Sequence, residues 1–259
     1  MEDGGHGDLD RPWAWTLPAR VLRELSICGV FDAIVRTYAS TEVRGREQLA
    51  LLDGPAIFVA NHCSHVDTPV LLRALPARWR RRTAVTAAAD YFYSNGLLGS
   101  TVSLAFGAVP LRRRGAPGSK PTAALAPLVE AGWSLVVFPT GTRSRDGRVG
   151  LLRPGTAVLA AQHGLPIVPV HITGTRAAMP VGSNWMVRPQ GGGRLARHRI
   201  GLTFGTPFAV APDDEPRAVM EKVRLFLAAQ GEETTPDPAL APGPEPAAEA
   251  PRLAEPRGA

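Results

Sequence analysis

Three short apolar runs constrain the fold of this 259-residue chain more than any other feature. They are Ala56-Ile57-Phe58-Val59-Ala60, Ser134-Leu135-Val136-Val137-Phe138 and Ile167-Val168-Pro169-Val170-His171-Ile172. None alternates apolar with polar residues. A strand that is apolar on both faces is buried on both faces, which happens when helices cover the two sides of a sheet. Further strands are expected over residues 83–88, 109–111 and 199–204. Segments of helical period lie between them, over residues 68–75, 97–104, 121–131, 155–163 and 218–229, with Gly132 and Gly164 where helices stop. Strands alternating with helices predict an α/β fold with a mixed, largely parallel central sheet flanked by helices.

The two ends read differently. From residue 18 to 38, Leu22, Leu25, Val30, Phe31, Ile34 and Val35 approximate helical spacing, with Arg20, Arg23 and Arg36 between them and Trp13 and Trp15 ahead. This N-terminal amphipathic segment fits either a core-packing helix or an interfacial helix with tryptophan anchors. Gly29 weakens its middle and can hinge two shorter helices. Residues 188–198 are rich in Gly and Arg and read as a loop. Beyond Gly231 the chain is Pro, Ala and Glu without periodicity, too poor in apolar surface to repay the entropy of ordering. The expected organisation is a helical, membrane-proximal segment over 1–40, an α/β domain over 41–230 and a disordered tail over 231–259.

Charge narrows the partners. The chain holds 29 Lys+Arg against 23 Asp+Glu. The segment from Gly231 onward is acidic, so the basic surplus belongs to the rest. A basic body suits anionic partners such as a phospholipid surface, a phosphorylated substrate or an acidic carrier protein. Arg78, Arg80, Arg81 and Arg82 around Trp79 form either a solvated face or a dock for such a partner. One aromatic in that patch and no recognisable RNA module argue against nucleic acid. Two cysteines, Cys28 and Cys63, make neither a disulfide framework nor a zinc site. No apolar run approaches the ~20 residues that cross a bilayer. The expectation is a cytoplasmic protein peripherally associated with the inner face of the cell membrane.

The chemistry sits just past the strands. Asn61-His62-Cys63-Ser64-His65-Val66-Asp67 follows the first apolar run, so His62 stands at a strand's carboxyl end and a tight turn can return Asp67 to its imidazole. A histidine oriented by a carboxylate can deprotonate a hydroxyl; the same spacing also caps helices. His65 could share a metal with His62 and Asp67, and Cys63 could be a nucleophile or simply pack. Past the second run, Phe138-Pro139-Thr140-Gly141-Thr142-Arg143-Ser144 offers a glycine that lets backbone N–H groups approach an anion and an arginine fork suited to phosphate. A tight turn with a solvated arginine fits equally. Arg112, Arg113 and Arg114 follow Gly107-Ala108-Val109-Pro110-Leu111 and face water or an anion. Ligands of open sheets gather beyond the carboxyl ends of strands, so these segments are candidates for one cleft.

Taken together the segments resemble the glycerophosphate acyltransferase family, which includes the lysophosphatidic acid acyltransferases. Its Asn-His-x4-Asp block is matched by Asn61, His62 and Asp67. Its Gly-x-x-Phe-Ile-x-Arg block is matched by Gly107, Leu111 and Arg113, with Pro110 in the phenylalanine position. Its Phe-Pro-Glu-Gly-Thr-Arg-Ser block is matched by Phe138, Pro139, Gly141, Thr142, Arg143 and Ser144, and a proline-centred apolar block by residues 165–170. The resemblance spans about residues 45 to 210. It implies an O-acyltransferase in which His62 is the general base and Asp67 orients it. Arg113, Thr140, Gly141, Thr142 and Arg143 then bind substrate. The donor is a thioester of coenzyme A or acyl carrier protein, the acceptor lysophosphatidic acid or a related phosphorylated or lipid alcohol, and no metal or other cofactor is needed. Thr140 departs from the family's glutamate. That favours, as alternatives, a non-glycerolipid alcohol or amine acceptor; a non-catalytic lipid-binding protein is a further one.

Overall fold

A computed structural model of the chain describes residues 12–88, 103–111 and 125–240. Its described strands are β1 (Ala39–Arg44), β2 (Ile57–Ala60), β3 (Thr83–Ala88), β4 (Ala108–Leu111), β5 (Ser134–Val137), β6 (Ile167–Thr173) and β7 (His198–Phe204). They form one sheet in the order β1-β7-β6-β2-β5-β3-β4. Every neighbouring pair is parallel except β6 with β7. This is the mixed, largely parallel sheet expected.

The absence of alternation in β2 has a direct cause. Phe58 and Ala60 point into one core, with Ile27, Val35, Val70 and Leu71. Ile57 and Val59 point into the other, with Leu128, Leu159, Val223 and Leu227. α1 (Leu17–Leu25) leads into a turn whose Ile27 joins the first core, and that core is covered by α2 (Asp32–Tyr38) and α3 (Asp67–Ala74). The second is covered by α4 (Ala126–Glu130), α5 (Gly155–His163) and α6 (Pro216–Ala229). Each such buried Leu, Ile, Val or Phe contributes about 1.5–3 kcal/mol. Pro169 is tolerated in the central strand β6 because pairing with β7 begins only at Val170.

Three sequence expectations change. β1 is not among the expected strands: Ala39-Ser40-Thr41-Glu42-Val43-Arg44 lies at the sheet edge, mostly exposed, and with Ala39 and Val43 alone turned to the core it carries no apolar run. The chain also stays on the fold past Gln230. The Val149 N–H donates to Glu233 O at 2.8 Å, and the Thr235 N–H donates to Val149 O at 2.8 Å. Residues 231–240 are therefore not a loose start to the tail; residues 241–259 lie outside the described residues, as does most of the helix expected over 97–104.

The third change concerns the basic patch. Arg80 is buried against Glu24, with hydrogen bonds of 3.0 and 2.6 Å. Arg78 donates to Leu49 O and lies over the Trp79 ring. Arg81 and Arg82 remain exposed. Gly29 falls inside a wide helical turn, Ser26–Phe31, that joins α1 to α2. Arg23 of α1 is buried, its guanidinium donating to the carbonyls of Ala14, Ser103 and Leu104. No carboxylate pairs with it in those bonds, and burial lowers its pKa to about 10. Gly107 can turn with φ +65° beneath this group because it has no Cβ, which would meet Arg23 Cζ at 3.1 Å. No helix among the described residues is long and apolar enough to cross a membrane.

Candidate active site

β2 and β5 are neighbours running the same way, so their carboxyl ends deliver both motif loops to one edge of the sheet. Asn61 fixes the exit from β2. Its side chain is buried, donating from Nδ2 to Ile172 O at 2.8 Å and accepting the Ile172 N–H at Oδ1, also at 2.8 Å. An amide that satisfies both backbone groups of one residue staples this turn to β6.

The next residue is His62. Its Nδ1 lies 2.8 Å from Asp67 Oδ2, and the same oxygen accepts the N–H groups of Cys63 at 2.7 Å and Ser64 at 2.8 Å. Asp67 is fully buried at the first position of α3. One carboxylate thus closes the turn and holds the ring. With Nδ1 donating to Asp67, Nε2 is left as the proton acceptor. The ring is further fixed by Phe138, stacked at 4.1 Å between centroids and 21° between planes. The Ser144 N–H donates to His62 O at 2.8 Å, which joins the loop after β5 to the loop after β2.

The flanking groups separate the chemical alternatives. Burial, followed by the charges of Asp67 and Glu232, pushes the Cys63 thiol up to about 12. A thiol that stays protonated is a poor nucleophile. Burial first, then Arg143 and His62, lowers the His65 imidazole to about 4, so it is neutral at physiological pH. Among the described residues no group of three His, Cys, Asp or Glu side chains is placed to hold a metal ion.

His62 lines a cavity of about 600 Å3, together with Thr140, Thr142, Arg143, Arg148 and Arg153. Gly141 turns with φ +71°, and a Cβ there would meet Arg153 Cζ at 3.4 Å, so the arginine packs directly over the turn. The Thr140 hydroxyl donates to Thr142 O at 2.9 Å within its own turn. Of the candidate site residues, His62, Asp67, Thr140, Gly141, Thr142 and Arg143 come together here; Arg113 lies outside the described residues. Two contributors were not singled out from sequence: Phe138 as the ring's stacking partner and Arg153 as a wall of the cavity. Arg153 carried a signal, since it stands just ahead of a helix that begins at Gly155.

The arrangement can take a proton from a hydroxyl beside a cluster of guanidinium groups. The chain matches the family described as Acyltransferase over residues 40–173. It is 30% identical over 191 residues to a chloroplastic 1-acyl-sn-glycerol-3-phosphate acyltransferase of Brassica napus, covering 73% of this chain and 52% of that protein. It is 32% identical over 160 residues to a chloroplastic enzyme of the same description from Arabidopsis thaliana, covering 61% and 42%. It therefore spans about half the length of these relatives. The crystal structure of the 1-acyl-sn-glycerophosphate acyltransferase PlsC from Thermotoga maritima superposes with a TM-score of 0.59 at 22% identity, covering 86% of this chain and 83% of that one, and shares the fold.

Proposed function

This chain belongs to the acyltransferase family, and from that premise we propose that it transfers a fatty acyl group from an acyl thioester to the hydroxyl of a glycerophosphate-type acceptor such as lysophosphatidic acid. The observation that carries the reading is the His62–Asp67 pair, 2.8 Å apart, at an arginine-lined cavity. His62 Nε2 takes the acceptor's hydroxyl proton as its oxygen attacks the thioester carbonyl. The C–S bond then breaks, and the departing thiolate recovers the proton from the imidazolium. Asp67 keeps the ring in the required tautomer and stabilises its charged form. Arg143 and Arg153 hold the acceptor phosphate, and Arg113 extends that grip. The donor is acyl-CoA or acyl carrier protein, and the enzyme works peripherally on the inner face of the membrane.

A second reading rests on Thr140, whose hydroxyl is occupied within its own turn where the family has a glutamate. That departure favours an acceptor other than a glycerol phosphate. Both readings are tested by incubating the protein with radiolabelled acyl-CoA or acyl carrier protein and a panel of acceptor alcohols. His62→Ala should lower turnover by on the order of 10²–10⁴. Turnover near wild type in that variant would sink the mechanism.

A further inference from the structure

One wall of the cavity is held from outside the motifs. Residues 145–150 form a polar turn with glycines at 147 and 150, and only Val149 anchors it in the core. Neither backbone group of Val149 is satisfied within that turn. Its N–H goes to Glu233 O and its C=O accepts the Thr235 N–H, each at 2.8 Å, a parallel bridge centred on Thr234. Arg148, which lines the cavity, is ion-paired with Glu233. The segment that supplies these groups is tied down on its other side. Glu232 Oε1 is 2.8 Å from His171 Nε2 of β6, with both side chains largely buried. Arg224 of α6 donates to Thr234 Oγ1 at 2.8 Å, and Arg217 of α6 donates to both carboxylate oxygens of Asp237 at 2.8 and 2.9 Å.

We propose that residues 232–237 are a strap that sets the shape of the acceptor cavity, with Glu232 and Glu233 as positioning residues for the wall that runs from Arg148 to Arg153. The strap fastens a glycine-containing turn to the sheet and the last helix. It also occupies Arg148 with a carboxylate, so the substrate's anionic charge falls to Arg143 and Arg153. A wall fixed before substrate arrives does not have to be ordered by binding. The assignment of the cavity to the acceptor rests on the function proposed above; the strap's hold on the wall does not.

The test measures amide hydrogen exchange over residues 144–153 in the free protein, alongside acceptor KM and kcat. Thr235→Pro removes one N–H, the one donated to Val149. It should speed exchange across 144–153 by about three- to tenfold, the loss expected for a single hydrogen bond, and raise acceptor KM by a similar factor while kcat and donor KM change little. Glu232→Ala, which releases the strap from His171, should act the same way and guards against a local misfit of the proline. Unaltered exchange in both point variants would overturn the strap. So would a fall in kcat as large as the rise in KM, which would mark a general scaffold role. If the wild-type protein transfers no acyl group while both variants speed exchange, the activity falls and the strap stands as a structural link.

Discussion

At the scale of single residues, position 140 carries threonine where the motif it resembles has glutamate. Glutamate there could pair with Arg143 or Arg153 and accept a hydrogen bond from a free hydroxyl, whereas threonine is neutral and its hydroxyl is engaged by Thr142 O. Thr140→Glu should therefore change the ranking of acceptors more than it changes turnover on a common donor. Comparing kcat/KM for lysophosphatidic acid and several unphosphorylated alcohols in both proteins decides the matter; an unchanged ranking led by lysophosphatidic acid removes position 140 from acceptor choice. His65 makes a second prediction. Its folded pKa is lowered from 6.5 to about 4, so the unfolded chain takes up a proton in that window that the native protein refuses. Stability is complete above about pH 6.5 and falls as the pH drops toward 4. Melting temperatures at a series of pH values should fall less steeply for His65→Gln than for wild type, and parallel curves would show that His65 does not couple to folding.

At the scale of elements, the site is built where two neighbouring strands end. The ends of β2 and β5 are joined through Phe138 under the His62 ring and the Ser144 N–H on His62 O, and Asn61 ties the same exit to β6. Asn61→Ala would leave both the N–H and the C=O of Ile172 without their partner in a buried place. The cost should be about 2–6 kcal/mol, given about 1–3 kcal/mol for each of the two unsatisfied groups. Urea unfolding reads it directly, and a shift below about 0.5 kcal/mol would mean that the staple is dispensable. Because His62 is the next residue, activity should fall further than stability alone accounts for.

At the scale of the whole molecule, the N-terminal helices leave a row of apolar side chains facing outward. Leu17, Val21 and Leu25 recur at every fourth position of α1, with Leu17 69% exposed, and Trp13 lies beside them in sequence. Trp15 does not join this row, since it packs edge-on against Trp133 at 5.0 Å. On a protein with a basic surplus, such a row suits reversible adhesion to an anionic bilayer. Co-sedimentation with vesicles should rise with anionic lipid content, fall with salt, and drop when Leu17 and Leu25 are both changed to Ser. Equal recovery in the supernatant with neutral and anionic vesicles at low salt would exclude it. The sequence alone determined the buried strands, the described helices between them and the His62–Asp67 spacing, because apolar runs and five-residue turns are local signals written in adjacent residues. Only the tertiary structure decided what depends on partners far along the chain. β1 becomes a strand through β7, Arg80 is withdrawn from the surface by Glu24, and Arg153 reaches the cavity over Gly141. Residues 231–240 are held by Val149, His171, Arg217 and Arg224. Each involves a polar group meeting a residue ten or more positions along the chain, and polar residues reveal neither burial nor partner by their own pattern.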